Sequence, residues 1–301
     1  MLRGAGAEER LLAPLLLLVG ASFALLRFGT ENEVYLAPLL VSLLGSAAWV
    51  QWVQSRRVGW LLLAGTLTAG ACLLHQIHFW WWLALGLVTW WGKPLRWREA
   101  VAYALPALLV PAAYLVAAAH EGYPLTPTGL VEFILHDYVV NGATPTTGPK
   151  NVLLTAINLV RSFVQVHGSG LALVKRHPAL ALVPLAGLGL LWRARGAWAG
   201  RRAGSERERL VARGHAWALG LHVLFAAINE GNAEFMVMVP PLVAVLAAAR
   251  GRWRAGALWP AGAALLLWNV AFGIGPGHWL DFGTAPGPLV ARVRDEPAAE
   301  F

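Results

Sequence analysis

Apolar runs close to twenty residues long recur from Leu11 to Phe272, separated by short charged or turn-forming stretches. A bilayer's hydrocarbon core, about 30 Å thick, needs about twenty apolar residues per helix. Inside it, only helices and closed barrels satisfy their own backbone polar groups. Runs of this length read as helices. A large soluble domain is excluded by composition, because charged residues make up 13% of the 301 and hydrophobic residues 57%, against roughly 25% charged in soluble proteins. The 16 Trp residues suit the same setting, since indole favours the headgroup level. The expected architecture is all-α: a polytopic integral membrane bundle forming one transmembrane domain over 1–301.

Nine spans are expected, at about 11–27, 34–54, 58–74, 77–92, 99–119, 176–192, 214–229, 235–249 and 256–273. As one helix, the apolar stretch 58–92 would run about 52 Å, far beyond the hydrocarbon core. A tight turn at His75-Gln76-Ile77-His78 divides it. The first run follows Arg3 and Arg10, is long for a signal sequence and lacks an obvious cleavage site, so it reads as a retained span. Pro106 and Pro111 predict a kink in the fifth span.

With the N-terminus in the cytoplasm, the inner segments hold Arg3, Arg10, Arg56, Arg57, Lys93, Arg96, Arg98, seven Arg between 193 and 213, and Arg250, Arg252 and Arg254. That is 17 of the 24 basic residues. Cytoplasmic loops accumulate such charge, which also accounts for the net charge of +8 without nucleic acid as a partner. The stretch 193–213 reads as a solvated basic loop touching anionic membrane lipid. The outer segments hold 11 of the 16 acids, among them Glu31, Glu33, Glu230 and Glu234. The lone Cys72 sits in an apolar run, which excludes an intrachain disulfide framework and reads as core packing.

The outer loop 120–175 has turn chemistry at Tyr123-Pro-Leu-Thr-Pro, then helical spacing over Leu130–Val140. Over 151–166, Leu153, Leu154, Ile157, Val160, Phe163 and Val164 share one side, and Asn158, Arg161 and Gln165 form a polar stripe. That pattern predicts an amphipathic helix lying along the outer interface.

Three outer turns carry more polar groups than a connector needs. Glu31 and Glu33 lie in Gly29-Thr-Glu-Asn-Glu-Val-Tyr35, as a solvated turn or as a general base or cation ligand. His75 and His78 lie three apart, as solvated groups, substrate hydrogen-bonders or two ligands of a metal site that would need more. Glu230, Asn232 and Glu234 lie in Asn229-Glu-Gly-Asn-Ala-Glu-Phe235, able to bind hydroxyls or a cation. Arg161, Lys175 and Arg176 are outer cations suited to lipid phosphates. Carboxylates beside hydrocarbon are costly unless paired, so the three turns are expected to share one polar cavity. A carboxylate partner there would raise the pKa of a histidine.

The Glu33-Val-Tyr35 turn, the Leu74-His75-Gln76 turn and the Gly231-Asn-Ala-Glu-Phe235 loop together resemble bacterial GT-C superfamily glycosyltransferases, relatives of protein mannosyltransferases and lipid A aminoarabinose transferases. The resemblance spans roughly 30–250. It implies transfer of a sugar from a polyprenyl-phosphate donor outside the cytoplasm, in the bacterial inner membrane. A carboxylate takes the acceptor's proton, and cations or a metal stabilise the leaving phosphate. Carried onto this chain, Glu31 or Glu33 is the base. His75, Gln76, His78, Glu230, Asn232 and Glu234 line the sugar or cation site, and Arg161 contacts phosphate. The cofactor is left open, with a divalent cation as the candidate the resemblance offers. The family's Asp-bearing first loop has no counterpart, since no Asp precedes Asp137; the chain is expected to match the family's later portion. Two other readings stay open: a non-catalytic membrane subunit packing against a partner protein or lipids, and a transporter.

Overall fold

Long apolar stretches without internal breakers fold as helices, and polar or Pro-containing joints break them. The computed structural model describes residues 1–30, 34–91, 96–140 (backbone only for 137–140), 148–229 and 232–276. Its α-helices are α1 (Glu9–Gly20), α2 (Phe23–Thr30), α3 (Leu36–Ser55), α4 (Val58–Leu74), α5 (Phe79–Trp91), α6 (Trp97–Ala104) and α7 (Leu109–His120). There follow α8 (Pro127–Val140), α9 (Pro149–Arg161), α10 (Gly170–Arg176), α11 (Leu182–Ala194), α12 (Glu206–Ile228), α13 (Val239–Arg250) and α14 (Ala255–Trp268). A short ribbon pairs β1 (Trp198–Arg201) with β2 (Gly251–Trp253), antiparallel.

The fold is all-α apart from that ribbon. Among the described residues, five helices are long and apolar enough to cross a membrane: Leu36–Ser55, Trp97–His120, Glu206–Ile228, Ala233–Arg250 and Ala255–Ile274. The α1–α2 pair, bent by 61°, makes a sixth if it counts as one span. Val58–Leu74 and Pro178–Ala194 are apolar but shorter, and α5 is 13 residues long.

Several joints follow from local chemistry. At Pro106 the helix tightens into a 3-10 turn over Leu105–Leu108 between α6 and α7, the local form of the expected kink. The 214–229 span begins earlier than expected, at Glu206, because Ser205 and Glu208 form a capping box. The basic stretch 193–213 is correspondingly not one solvated loop. Trp198 pairs with Trp253, with ring centroids 5.2 Å apart, and Arg202 N–H donates to the Arg250 carbonyl at 2.9 Å. The Arg202 guanidinium donates to the Gly6 carbonyl and pairs with Glu208, each at 2.5 Å. The N-terminal turn, the ribbon and the start of α12 therefore gather at one end.

In the core, α3 packs along α4, and α5 against α12. Trp49, Trp52, Trp81 and Tyr103 are fully buried. Buried indoles need acceptors: Trp49 Nε1 donates to Thr89 Oγ1 and Trp81 Nε1 to Ser46 Oγ, both at 2.8 Å. At Gly45 of α3 a side chain would meet Thr68 Cγ2 at 2.7 Å, so glycine permits the close approach to α4.

Candidate functional site

The end opposite the ribbon carries the polar turns. The α4 helix stops at Leu74. His75 is extended, and its Nδ1 accepts from Ile77 N–H at 3.3 Å, starting the 3-10 turn Gln76–His78. On the other side of the bundle, Asn232 Oδ1 accepts from Glu234 N–H at 3.0 Å and starts a 3-10 turn over Ala233–Met236. Both turns aim their side chains at Tyr35, which precedes α3. The Tyr35 hydroxyl donates to Glu234 Oε2 at 2.9 Å, and its ring lies 4.8 Å from the His75 ring. Asn232 Nδ2 also reaches Glu234 Oε2, at 3.5 Å. Phe28 closes the far side of Tyr35 at 5.1 Å.

One residue from each of the three turns thus meets in a single cluster, with Tyr35 as its hub and buried. Tyr35 stood in the sequence motif but was not among the expected site residues. Its signal was its position, an aromatic with a polar tip beside acidic and histidine turns. Asn232 and Glu234 are part of the cluster, and Gln76 is exposed at the rim. Glu31 and Glu33, the expected bases, and Glu230, expected to line the sugar or cation site, lie outside the described residues.

Two expectations change. His78 does not share the cluster. It is fully buried, its Nδ1 lies 2.7 Å from Ser42 Oγ, and its ring stacks on Trp81 and meets His222 edge-on at 6.4 Å. The 3-10 turn rotates it into the bundle while His75 stays at the rim. Nor is the His75 pKa raised. Burial pushes it down and outweighs the opposing pull of Glu234; the imidazole is held toward its neutral form.

Inside the bundle, sequence reasoning missed two buried histidines, of which His222 meets His78 and His215 meets Trp49 edge-on at 6.2 Å. His215 and His222 are fully buried, and each donates Nδ1–H to the carbonyl one turn earlier, at Val211 (2.8 Å) and Ala218 (2.7 Å). Since a carbonyl only accepts, both rings carry the proton on Nδ1. Helical spacing of seven residues on an otherwise apolar face was the available signal.

Arg161 ends α9 beside the cluster. Its Nε donates to Gln165 Oε1 at 2.7 Å and its Nη1 to Asn158 Oδ1 at 3.1 Å. With Arg27, Ser162 and Ala233 it lines a small crevice, one residue from Glu234. Two guanidinium-bearing residues therefore line one crevice with Phe28 and Ala233. Among the described residues, no group of three or more His, Cys, Asp and Glu side chains is arranged to hold a metal ion.

The α9 helix lies across the polar end, against α12 and the Ala233–Met236 turn. Of the expected polar stripe, Asn158 is buried, Gln165 is half-buried and Arg161 is exposed. Asn151, Thr155, Asn158 and Ser162 are buried, while Val152, Leu153, Ile157 and Val160 are exposed. Asn151 Nδ2 donates to the Ala227 carbonyl at 3.0 Å. The polar side faces protein because protein supplies the acceptors.

No model of a known protein family matches the chain, and neither a curated protein nor a solved structure matches it.

Proposed function

We propose that the chain is an integral membrane protein with a cytoplasmic N-terminus, crossing up to nine times, and a GT-C-like glycosyltransferase of a bacterial inner membrane. The observation that carries this reading is the meeting of Tyr35, His75 and Glu234, one from each of the three short motifs of the resemblance, at the end opposite the basic ribbon. Independent solvated turns have no reason to share a hydrogen bond across 199 residues of chain.

In this reading a polyprenyl-phosphate sugar enters from the outer leaflet. An acceptor hydroxyl attacks the anomeric carbon, the bond from that carbon to the phosphate oxygen breaks, and polyprenyl phosphate leaves. Glu31 or Glu33 takes the hydroxyl proton. Glu234, held by the Tyr35 hydroxyl and Asn232, accepts from sugar hydroxyls, and neutral His75 adds a further hydrogen-bonding edge. Arg161 and Arg27 face the phosphate, where bidentate guanidinium contacts fit best.

The test uses membranes from cells expressing the chain and a panel of radiolabelled polyprenyl-phosphate sugars. Loss of label from the donor lipid is expected with the wild type and not with Glu234→Gln. If no donor is consumed or bound, the enzyme reading fails. A non-catalytic subunit is the second reading, favoured by Trp97–His120, whose most apolar stretch is only 6% buried and so leaves a whole helix face to lipid or a partner. Co-purification of a stoichiometric partner with an inert chain favours it.

A further inference from the structure

Below the polar rim, the 3-10 turn ahead of α5 meets α3 and α12, and two imidazoles lie side by side there. His78 and His222 are fully buried, with ring centroids 6.4 Å apart. Each ring is held through Nδ1. His222 Nδ1–H donates to the Ala218 carbonyl at 2.7 Å, and His78 Nδ1 lies 2.7 Å from Ser42 Oγ on α3. In both rings Nε2 is buried and makes no hydrogen bond among the described residues. Trp81 packs on both, stacked on His78 at 6.3 Å and edge-on to His222 at 5.9 Å, and its indole is fixed by Ser46. Buried polar atoms left without partners are costly, and an ionisable side chain inside a span points to a functional site.

We infer that His78 and His222 bind one monovalent copper ion, Cu(I), between their Nε2 atoms. Distance is the first reason. An imidazole nitrogen lies about 1 Å from its ring centre, so two rings sharing an ion through bonds of about 2 Å each have centres about 6 Å apart. A direct N–H···N hydrogen bond of about 3 Å would draw the centres to about 5 Å, closer than the 6.4 Å found. The second reason is how the rings are held. A metal-binding histidine anchors its other ring nitrogen on a carbonyl or similar partner, which fixes the tautomer and leaves a lone pair for the metal. His222 carries its proton on Nδ1 already, and in the bound form His78 Nδ1–H donates to Ser42 Oγ. Ligand count and charge are the third. Among the described residues no further His, Cys, Asp or Glu side chain joins the two to make a group of three. Zinc takes four ligands, whereas Cu(I) takes two in line, and imidazole suits copper. With no carboxylate joining the pair, burying one charge costs far less than burying two, and the indole of Trp81 favours a cation beside it. Entry is from the polar end, where His75 stands half-buried three residues before His78.

This inference stands apart from sugar transfer and needs only the helix packing described. The probe is Cu(I), kept reduced by ascorbate without oxygen and added to the detergent-purified full chain in competition with bicinchoninate. Cys72→Ser is the background throughout, because a thiolate also takes Cu(I) and Cys72 is the only cysteine. The expected result is one Cu(I) per chain, with an X-ray absorption spectrum showing two nitrogen ligands and no more. His78→Gln and His222→Gln should each weaken binding more than about a hundredfold, beyond what loss of an outer contact costs. His215→Gln should leave it unchanged. His215 is just as buried, with Nδ1 on the Val211 carbonyl, but stands two turns away along α12, about 10 Å. His222→Met guards against a Gln variant that does not fold; it should keep the ion and put one sulfur into the spectrum. Folding of each variant is checked by circular dichroism and size-exclusion chromatography. A chain with His78 and His222 intact that binds no Cu(I), or holds it with three or four ligands, overturns the proposal. So does a folded His78→Gln or His222→Gln that binds undiminished, a loss of binding in His215→Gln, or a His222→Met spectrum without sulfur.

Discussion

Asn269 follows α14 directly, at the start of a π-helical turn over Asn269–Ile274, and is fully buried. Its Nδ2 donates to the Ala21 carbonyl at 2.8 Å and to the Phe163 carbonyl at 2.7 Å, and its Oδ1 accepts from Gln165 N–H at 3.2 Å. Ala21 lies at the break between α1 and α2, and Phe163 and Gln165 lie just past α9. One amide therefore ties three chain segments together at the point where helices are interrupted. The substitution Asn269→Leu keeps the approximate volume and removes all three bonds. Phe163 O retains Phe23 N–H at 3.0 Å, so the groups most exposed to loss are the Ala21 carbonyl and the Gln165 amide. A buried group left unsatisfied costs about 1–3 kcal/mol, whereas side-chain hydrogen bonds in membrane proteins average about 0.6 kcal/mol. Three bonds at the lower figure give about 2 kcal/mol and two orphaned groups at the upper give about 6, so the expected destabilisation is about 2–6 kcal/mol. Asn269→Asp should cost more, because a carboxylate cannot donate to two carbonyls and is itself buried. The chain supplies its own reporter: its single cysteine, Cys72, is buried and reacts with a thiol-activated dye only on unfolding. Thermal scans in detergent should place both variants clearly below the wild type, with Asp the lower. Asn229→Ala removes one local bond to Phe225 O at 2.8 Å and serves as the mild comparison. If Asn269→Leu unfolds with the wild type, or Asp is tolerated as well as Leu, the amide is not the tie described.

In a Cys72→Ser background, a membrane-impermeant maleimide added outside intact cells should label Val34→Cys and spare Trp198→Cys, both exposed positions at opposite ends; equal labelling refutes the proposed orientation. Burial lowers the His75 pKa, so the unfolded chain binds its proton first as pH falls below about 6.5. The stability tied to neutral His75 is present above that pH and lost below it, so acidification from pH 7 to 5 should destabilise the wild type more than His75→Phe. Tyr35→Phe removes the donor to Glu234 and should lower affinity for a lipid-linked sugar about tenfold, the effect of one charge-assisted hydrogen bond of about 1.5 kcal/mol, as measured by donor binding to purified protein. Arg202→Met leaves the Gly6 carbonyl without its donor and Glu208 with the Ser205 amide alone, and should lower stability by about 1–3 kcal/mol, read by the same dye assay; no change means the N-terminal turn is not held by this contact.

The helical class and most helix positions were legible because run length and charge spacing report them directly. The meeting of His75 with Glu234 through Tyr35 was half legible, since polar groups at the ends of apolar helices need partners. The division of labour within a turn was not: His75 and His78 are three residues apart, and a one-turn 3-10 segment sends them to opposite environments. The ribbon was hidden because β1 and β2 are short, basic and about fifty residues apart in sequence, so neither carries an alternating pattern of its own. The Asn269 tie was half visible, as a strongly polar residue in an apolar span, without any local clue to its partners.

The α9 helix shows why an amphipathic pattern alone does not give orientation. The pattern identifies two faces but not what each face meets. At a water interface the polar face turns outward. Here Asn151 finds a carbonyl at the end of α12, Asn158 accepts from Arg161, and the chain from Ser162 to Gln165 accepts from α2 and Asn269 and donates to Asn269. Those partners sit on the protein side, where an unsatisfied amide costs more than in water. The apolar residues are left facing outward, which is stable only where the surroundings are hydrocarbon. The inverted helix thus supports, independently of helix length or loop charge, a lipid environment around the polar end of the bundle. Replacing Val152 and Val160 with Lys should then weaken retention in membranes without disturbing the buried stripe. In a water-exposed helix the same two substitutions would be neutral.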